Sequence, residues 1–255
     1  MGVPVVRPYR WLAQYYDEFF SSFRSPINAA RERALSRILP QVESACDLAC
    51  GTGTTALALV RKGISMHAVD TSPLMCRIAR EKADRAGLPL RVYRADMRNF
   101  QLPRPVDLVT CECDALNHVP RRADLRMVAK AVGRALRPGG HFFFDVNNSL
   151  GFERYWCGTV WLERPGVVIV MRNGHNRQAN KAWSDVEWFI QVGNYWRRRQ
   201  ERVEEVCWNP DEIRRILKEA GFDHLQVWDA SPFFKGNPLI VPGCRTFYLA
   251  QKAVA

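Results

Sequence analysis

The chain of 255 residues is 47% apolar and 25% charged, long enough to bury a full core and too apolar for wholesale disorder. Its 37 Lys and Arg exceed its 26 Asp and Glu by 11, which raises nucleic acid, an anionic membrane surface or acidic substrates as partners. The excess is spread over every segment with no basic stripe or tail, so nucleic acid is not the expected partner.

In chain order, residues 11–23 and 27–39 read as two helices. A strand at 45–49 leads through a glycine turn into a helix at 54–62, and a second strand at 65–69 ends at Asp70. Ser72-Pro73 supplies an N-cap and a preset first residue for a helix that stops near Gly87. A third strand at 91–94 ends before Asp96, and a fourth covers 106–111. Leu125, Val128, Ala129, Val132 and Leu136 mark an amphipathic helix that halts at Pro138-Gly139-Gly140. The fifth strand, 141–146, is nearly all apolar, as a strand covered on both faces should be.

The rhythm then changes. Residues 152–206 alternate in short steps between turn signals, which predicts antiparallel strands. Arg197, Arg198 and Arg199 read as a solvated strand end. Asn209-Pro210-Asp211-Glu212 combines a cap, Pro at the first helical position and Glu at the third, starting a helix to Gly221. Strands at 225–228 and 246–250 close the chain. The expected organisation is a helical cap over 1–44, an α/β core over 45–151 and 207–255, and an antiparallel insert over 152–206 that serves as a lid or a dimer element.

No apolar stretch approaches the ~18–20 residues of a membrane span. Eight Cys without framework spacing suit a reducing, cytoplasmic location. His67, His118, His141, His175 and His224 stand isolated, so no metal site is expected.

The strongest motif is DLACGTGT, Asp47 to Thr54. Gly51 and Gly53 sit where a strand turns into a helix, letting the backbone approach a ligand closely. Asp70 ends the next strand, where a carboxylate can accept both hydroxyls of a ribose. Asp96 ends the third strand with Met97 beside it. Three successive strands thus deliver a glycine turn or an acid to one sheet edge, where open α/β sheets bind ligands. Residues 51–56 also satisfy the dinucleotide pattern G-x-G-x-x-A. Asp47, however, puts a carboxylate inside the turn where a pyrophosphate would lie, which suits a cofactor with a cationic end.

DLACGTGT, HAVDTS, RADMRNF, VDLVTCECDALNHV and LRPGGHFFFDV together resemble the class I S-adenosylmethionine-dependent methyltransferases over about 45–146 and 207–251. The resemblance implies a Rossmann-like seven-stranded α/β fold with an antiparallel β insert after the fifth strand and an N-terminal helical cap. It implies S-adenosyl-L-methionine as cofactor, S-adenosyl-L-homocysteine as product, and no metal. Asp47, Ala49, Gly51 and Gly53 would line the methionine and ribose end, with Asp70 and Thr71 at the ribose hydroxyls. Asp96 would accept from the adenine amino group, Met97 would lie against the ring, and Cys111 by the sulfonium. YYDEFF is similar to the segment that folds over the cofactor in small-molecule members, so Tyr16 is a candidate cap. The placement of the insert resembles deoxysugar N,N-dimethyltransferases and glycine-type N-methyltransferases.

The expected reaction is methyl transfer by in-line displacement to a small-molecule acceptor, at N more than at O. Positioning can contribute ~7–11 kcal/mol against ~3–5 kcal/mol for a general base, so positioning is the main term. Candidate catalytic residues are Asp114, Asn117 and His118, after the fourth strand. The Asn/Asp-Pro-Pro-aromatic signature of base-amine methylation and the Pro-Cys nucleophile of ring-carbon methylation are both missing. The +11 charge leaves an RNA or protein methyltransferase as an alternative, and the lack of a clear base leaves a non-catalytic nucleotide-binding regulator. A homodimer is compatible with the insert.

Overall fold

A computed structural model describes residues 5–6, 9–236 and 240–254. The chain opens with β1 (Val5–Val6) and α1 (Leu12–Leu35), then alternates β2 (Ser44–Leu48), α2 (Thr54–Val60), β3 (Ser65–Asp70), α3 (Pro73–Arg85), β4 (Leu90–Arg94) and β5 (Val106–Cys111). It continues through α4 (Arg122–Ala135), β6 (Leu136–Asn147) and α5 (Ser149–Tyr155) to four strands, β7 (Thr159–Arg164), β8 (Val167–Asn176), β9 (Lys181–Val192) and β10 (Tyr195–Val206). α6 (Pro210–Glu219), β11 (Phe222–Asp229) and β12 (Arg245–Lys252) complete it.

Seven strands form one sheet in the order β11-β12-β6-β5-β2-β3-β4. β2 to β6 run parallel, and β12 lies antiparallel between β6 and β11. The chain leaves β2 first toward β3 and β4, then crosses to β5 and β6 on the other side. The carboxyl end of β2 is therefore the switch point where the two halves splay apart and leave a crevice.

Side chains alternate across the sheet, so each face has its own core. Phe142, Phe144 and Tyr248 stack on the face covered by α4 and α6. Phe143 and Phe247 stack on the other, with Ile27 and Leu35 of α1. The helix starts read from sequence hold: Ser72 Oγ accepts the Met75 N–H and Asn209 Oδ1 accepts the Asp211 N–H.

Residues 11–39 contain one helix where two were expected, since α1 runs unbroken through Pro26. Proline removes one backbone donor, but the turns on both sides of it are packed. Leu12 lies in a cluster with Val167, Ile169, Val186, Trp188 and Val203, while Ile27 and Leu35 lie under the main sheet. Local propensity yields to that burial. β6 likewise begins at Leu136, where helix was expected, because Leu136 pairs with Val106 before the register shifts. α5 occupies the first residues of the segment read as strands.

The second sheet has the order β1-β10-β9-β8-β7. β7 to β10 form an antiparallel meander, and β1 pairs in parallel with β10. The arginine run at 197–199 is not simply solvated: Arg198 pairs with Glu187 at 2.9 Å, and the Arg199 guanidinium sits 5.1 Å from the Trp11 ring centre.

Candidate active site

An open cavity of ≈ 1350 Å³ lies between the carboxyl edge of the main sheet, residues 9–16 and the end of β10. Ala49, Gly51, Asp70, Thr71, Asp96, Met97, Tyr16, Asn117 and His118 line it, so one space collects most of the residues singled out from sequence. Among the described residues, five non-glycine positions have positive φ; Tyr9 (63°), Ala49 (56°) and Cys113 (60°) line the cavity, and Asp114 (52°) follows Cys113 in the chain. Each such residue costs about 1–2 kcal/mol, and concentrated strain is typical of functional sites.

The glycine turn is built by hydrogen bonds to Asp70. Its Oδ2 accepts the Gly51 N–H at 2.9 Å and its Oδ1 accepts the Ser72 N–H at 2.8 Å, joining the turns after β2 and β3. Each oxygen keeps lone-pair capacity for a ligand hydroxyl. Burial pushes this carboxyl upward in pKa while the Ser72 and Gly51 amides oppose the shift. A side chain at Gly51 would have φ +53° to satisfy, so the turn keeps its backbone bare toward the cavity.

Three of the expected residues do not line the cavity. Asp47 is 2% exposed and accepts the Thr110 hydroxyl at 2.9 Å and the Ala56 N–H at 3.2 Å, so its carboxyl anchors the start of α2 beneath the turn. Burial, and then Glu112, push it up to about 7. Gly53 faces α3, with a would-be Cβ 2.9 Å from Ala79 Cβ. Cys111 is fully buried in the apolar core on the α4 and α6 face of the sheet.

Three of the predicted residues that line the cavity are already engaged by protein partners. Asp96 pairs with Arg98 at 2.5 Å, and that guanidinium reaches Asp124 at 3.5 Å. Asn117 donates both amide hydrogens, to Asn147 O at 3.0 Å and Val206 O at 2.8 Å, and accepts from Asn147 N at 2.9 Å. It ties three elements together and has no hydrogen left for a substrate. His118 Nδ1 lies 3.1 Å from the Glu204 carbonyl, which can only accept, so Nδ1 carries the hydrogen. Nε2 then accepts from the Tyr9 hydroxyl at 2.8 Å. Burial lowers the His118 pKa, and its open nitrogen is masked by Tyr9.

The sequence reading singled out Asp114 but missed the rest of an acidic wall, Asp145 and Glu205. Asp145 Oδ1 and Oδ2 accept the Cys113 and Asp114 N–H groups at 2.8 and 3.0 Å, holding that left-handed pair in place. Arg245 reaches Asp145 at 2.7 Å and Asp114 at 3.1 Å. Glu205 lines the cavity and accepts from Asn147 at 3.3 Å, with the Asp114 carboxylate nearby. Burial, then Asp114, raise the Glu205 pKa well above the usual carboxylate range. Glu205 could have been found from parity: Glu201, Val203 and Glu205 share one face of β10, and that face is buried. Tyr9 carried no comparable signal. Arg31 of α1 adds a buried ion pair to Glu112 at 2.8 Å.

Residues 45–140 match the family model described as a methyltransferase domain. Bacillus subtilis YqeM, which bears the name of a methyltransferase, is 26% identical over 247 residues, covering 96% of this chain and 97% of its own. Among solved structures, an S-adenosylmethionine-dependent methyltransferase from Clostridium acetobutylicum superposes with TM-score 0.78 at 24% identity, covering 96% and 99% of the two chains. The sugar N-methyltransferase KedS8 from Streptoalloteichus also gives 0.78, at 20% identity and 99% coverage of both chains.

Proposed function

We propose that this chain, whose residues 45–140 match a methyltransferase domain, is an S-adenosylmethionine-dependent methyltransferase that methylates a small-molecule amine in the cavity at the sheet's carboxyl edge. When bound, S-adenosylmethionine supplies an electrophilic methyl group on a sulfonium. The residues present suit it: Asp70 offers lone pairs for two ribose hydroxyls, the bare turn at Gly51 leaves room for the amino-acid end, and Met97 offers an apolar face to the base.

The observation that carries the amine reading is the acidic wall. Glu205 lines the cavity, and next to it Asp114 and Asp145 pair with one guanidinium, that of Arg245. The site therefore favours a cation, and an ammonium can take the place of the proton that burial holds on Glu205. A neutral hydroxyl gains nothing comparable. On binding, the Glu205 proton leaves to solvent. The freed carboxylate then takes one N–H proton, which uncovers the nitrogen lone pair. Tyr9 has committed its own hydrogen to His118, so its oxygen can accept an N–H and aim the amine. His118 thus acts through Tyr9. The sugar N-methyl transfer named for KedS8 supports nitrogen on the same fold.

Calorimetry with S-adenosylmethionine and S-adenosylhomocysteine, followed by turnover with matched amine and hydroxyl acceptors, tests this. Asp70→Ala should weaken cofactor binding by about tenfold or more, since it removes acceptors for two hydroxyls. Turnover should require the amine and fall in Glu205→Gln. Turnover of hydroxyl acceptors alone would overturn the amine assignment.

A further inference from the structure

We infer that Glu201, a residue outside the cavity, positions the cavity's N-terminal wall by gripping the start of α1. The inference rests on the methyltransferase reading only for what the cavity holds.

Both carboxyl oxygens of Glu201 are fully used. Oε2 accepts the Arg10 and Trp11 N–H groups at 3.1 and 3.3 Å. Oε1 accepts the Leu12 N–H at 3.1 Å and the Trp188 indole N–H at 3.0 Å. The first turn of a helix leaves several N–H groups without partners, and no side chain of α1's own N-cap serves them. A carboxylate from β10 supplies the cap instead, and its charge complements the helix dipole.

The residue just ahead of those amides is Tyr9, in a left-handed conformation with its hydroxyl on His118. Three consecutive bound amides after it hold that unfavourable turn in place. At the far end of the same segment, Asp17 accepts the Thr52 hydroxyl at 2.7 Å and pairs with Lys82 at 2.7 Å, tying α1 to the glycine turn and α3. Residues 9–17 therefore span the cavity between two carboxylate anchors.

The anchors are unequal. Glu201 is 1% exposed, whereas the Asp17 side chain is 42% exposed, so water competes for Asp17 and not for Glu201. Leu12 also shares an apolar cluster with Trp188 and Val203. The start of α1 thus belongs mechanically to the second sheet. When the wall opens, the Asp17 contacts break and the Glu201 contacts persist. Glu201 is a positioning residue that acts through Tyr9 and Tyr16.

The test compares Glu201→Gln with Val203→Ala, a change on the same strand and in the same cluster that spares the cap. In Glu201→Gln, one carboxylate oxygen becomes an NH2 facing backbone donors. Amide hydrogen exchange at 10–12 in the free protein should accelerate by about tenfold or more. Dissociation of S-adenosylhomocysteine, followed by stopped-flow displacement, should accelerate similarly. Val203→Ala should change neither by more than about twofold, even where its loss of melting temperature is as large. Equal acceleration in both variants, or none in Glu201→Gln, overturns the assignment. Should Glu201→Gln fail to fold, Trp188→Phe removes one donor to the same carboxylate and must still speed dissociation. A wild-type chain that binds no S-adenosylhomocysteine overturns the methyltransferase reading, and the exchange data still decide the role of Glu201.

Discussion

Asp47 and Asp70 end adjacent strands of the sheet and are equally suggestive in sequence, yet only Asp70 faces the cavity. The difference is which donors each meets. Asp70 receives two amides and keeps acceptor capacity outward, while Asp47 is enclosed by Thr110 and Ala56. That enclosure has a pH signature. Asp47 is pushed up to about 7 by burial, against about 3.9 in an unfolded chain. The folded state thus holds the proton more tightly. Its contribution to stability is complete below about pH 4 and is lost as pH rises through about 7. Asp145, also raised to about 7, adds the same sign. Urea unfolding should show the wild type losing more stability between about pH 5 and 8 than Asp47→Asn, which cannot titrate there. Parallel losses in the two proteins would rule this out. Glu205 makes the converse point. Its buried parity was readable in β10, but the Asp114 and Asn147 partners that give it chemistry lie about 90 and 60 residues away in sequence, a proximity that only folding creates.

Elements place these residues through two kinds of contact. The glycine turn depends on how closely α2 and α3 approach. A Cβ on Gly53 would stand 2.9 Å from Ala79 Cβ at φ +77°. Gly53→Ala should therefore cost about 1–2 kcal/mol of backbone strain and a further ~1–3 kcal/mol of overpacking. Gly63 provides the control, since it too is left-handed (φ +86°) but a Cβ there meets nothing within 4 Å. Gly63→Ala should show the strain alone, so its melting temperature should fall by the smaller amount, at about 2–4 °C per kcal/mol. Equal falls would mean that the α2–α3 approach does not require glycine. α1 is the other case. Its sequence contains Ser25-Pro26, a helix-breaking signal by local rules, and burial at both ends overrides it. The result is a single rod that spans the main sheet and the insert, with Tyr16 held over the cavity and the Arg24 guanidinium 5.3 Å from its ring centre.

For the whole molecule, many of the cations behind the excess of 11 positive charges are held in ion pairs. Arg172 and Arg198 flank Glu187, and Arg202 joins Asp185 and Glu204, so the outer face of the second sheet is laced with ion pairs. No helix among the described residues is long and apolar enough to cross a membrane. The cavity joins both sheets and α1, so a ligand filling it should stabilise the entire fold. S-adenosylhomocysteine at 100 times its Kd should add about 2.7 kcal/mol, raising the melting temperature by roughly 5–11 °C for a chain of this size. A shift near zero at saturating ligand would contradict a site that spans the interface.

The sequence by itself determined the α/β rhythm, the order of the strands and the sheet edge at which the candidate site residues gather. These depend on short-range patterns: apolar runs, caps, and a Gly or acid just after a strand. Only the tertiary structure decided which of those residues face the cavity, that Tyr9 and Glu205 complete its far wall, and that α1 is fastened to the second sheet by Glu201. Those facts depend on side chains from distant segments sharing a buried carboxylate. No local pattern encodes such sharing, because its cost and its benefit arise only when water is excluded from all partners at once.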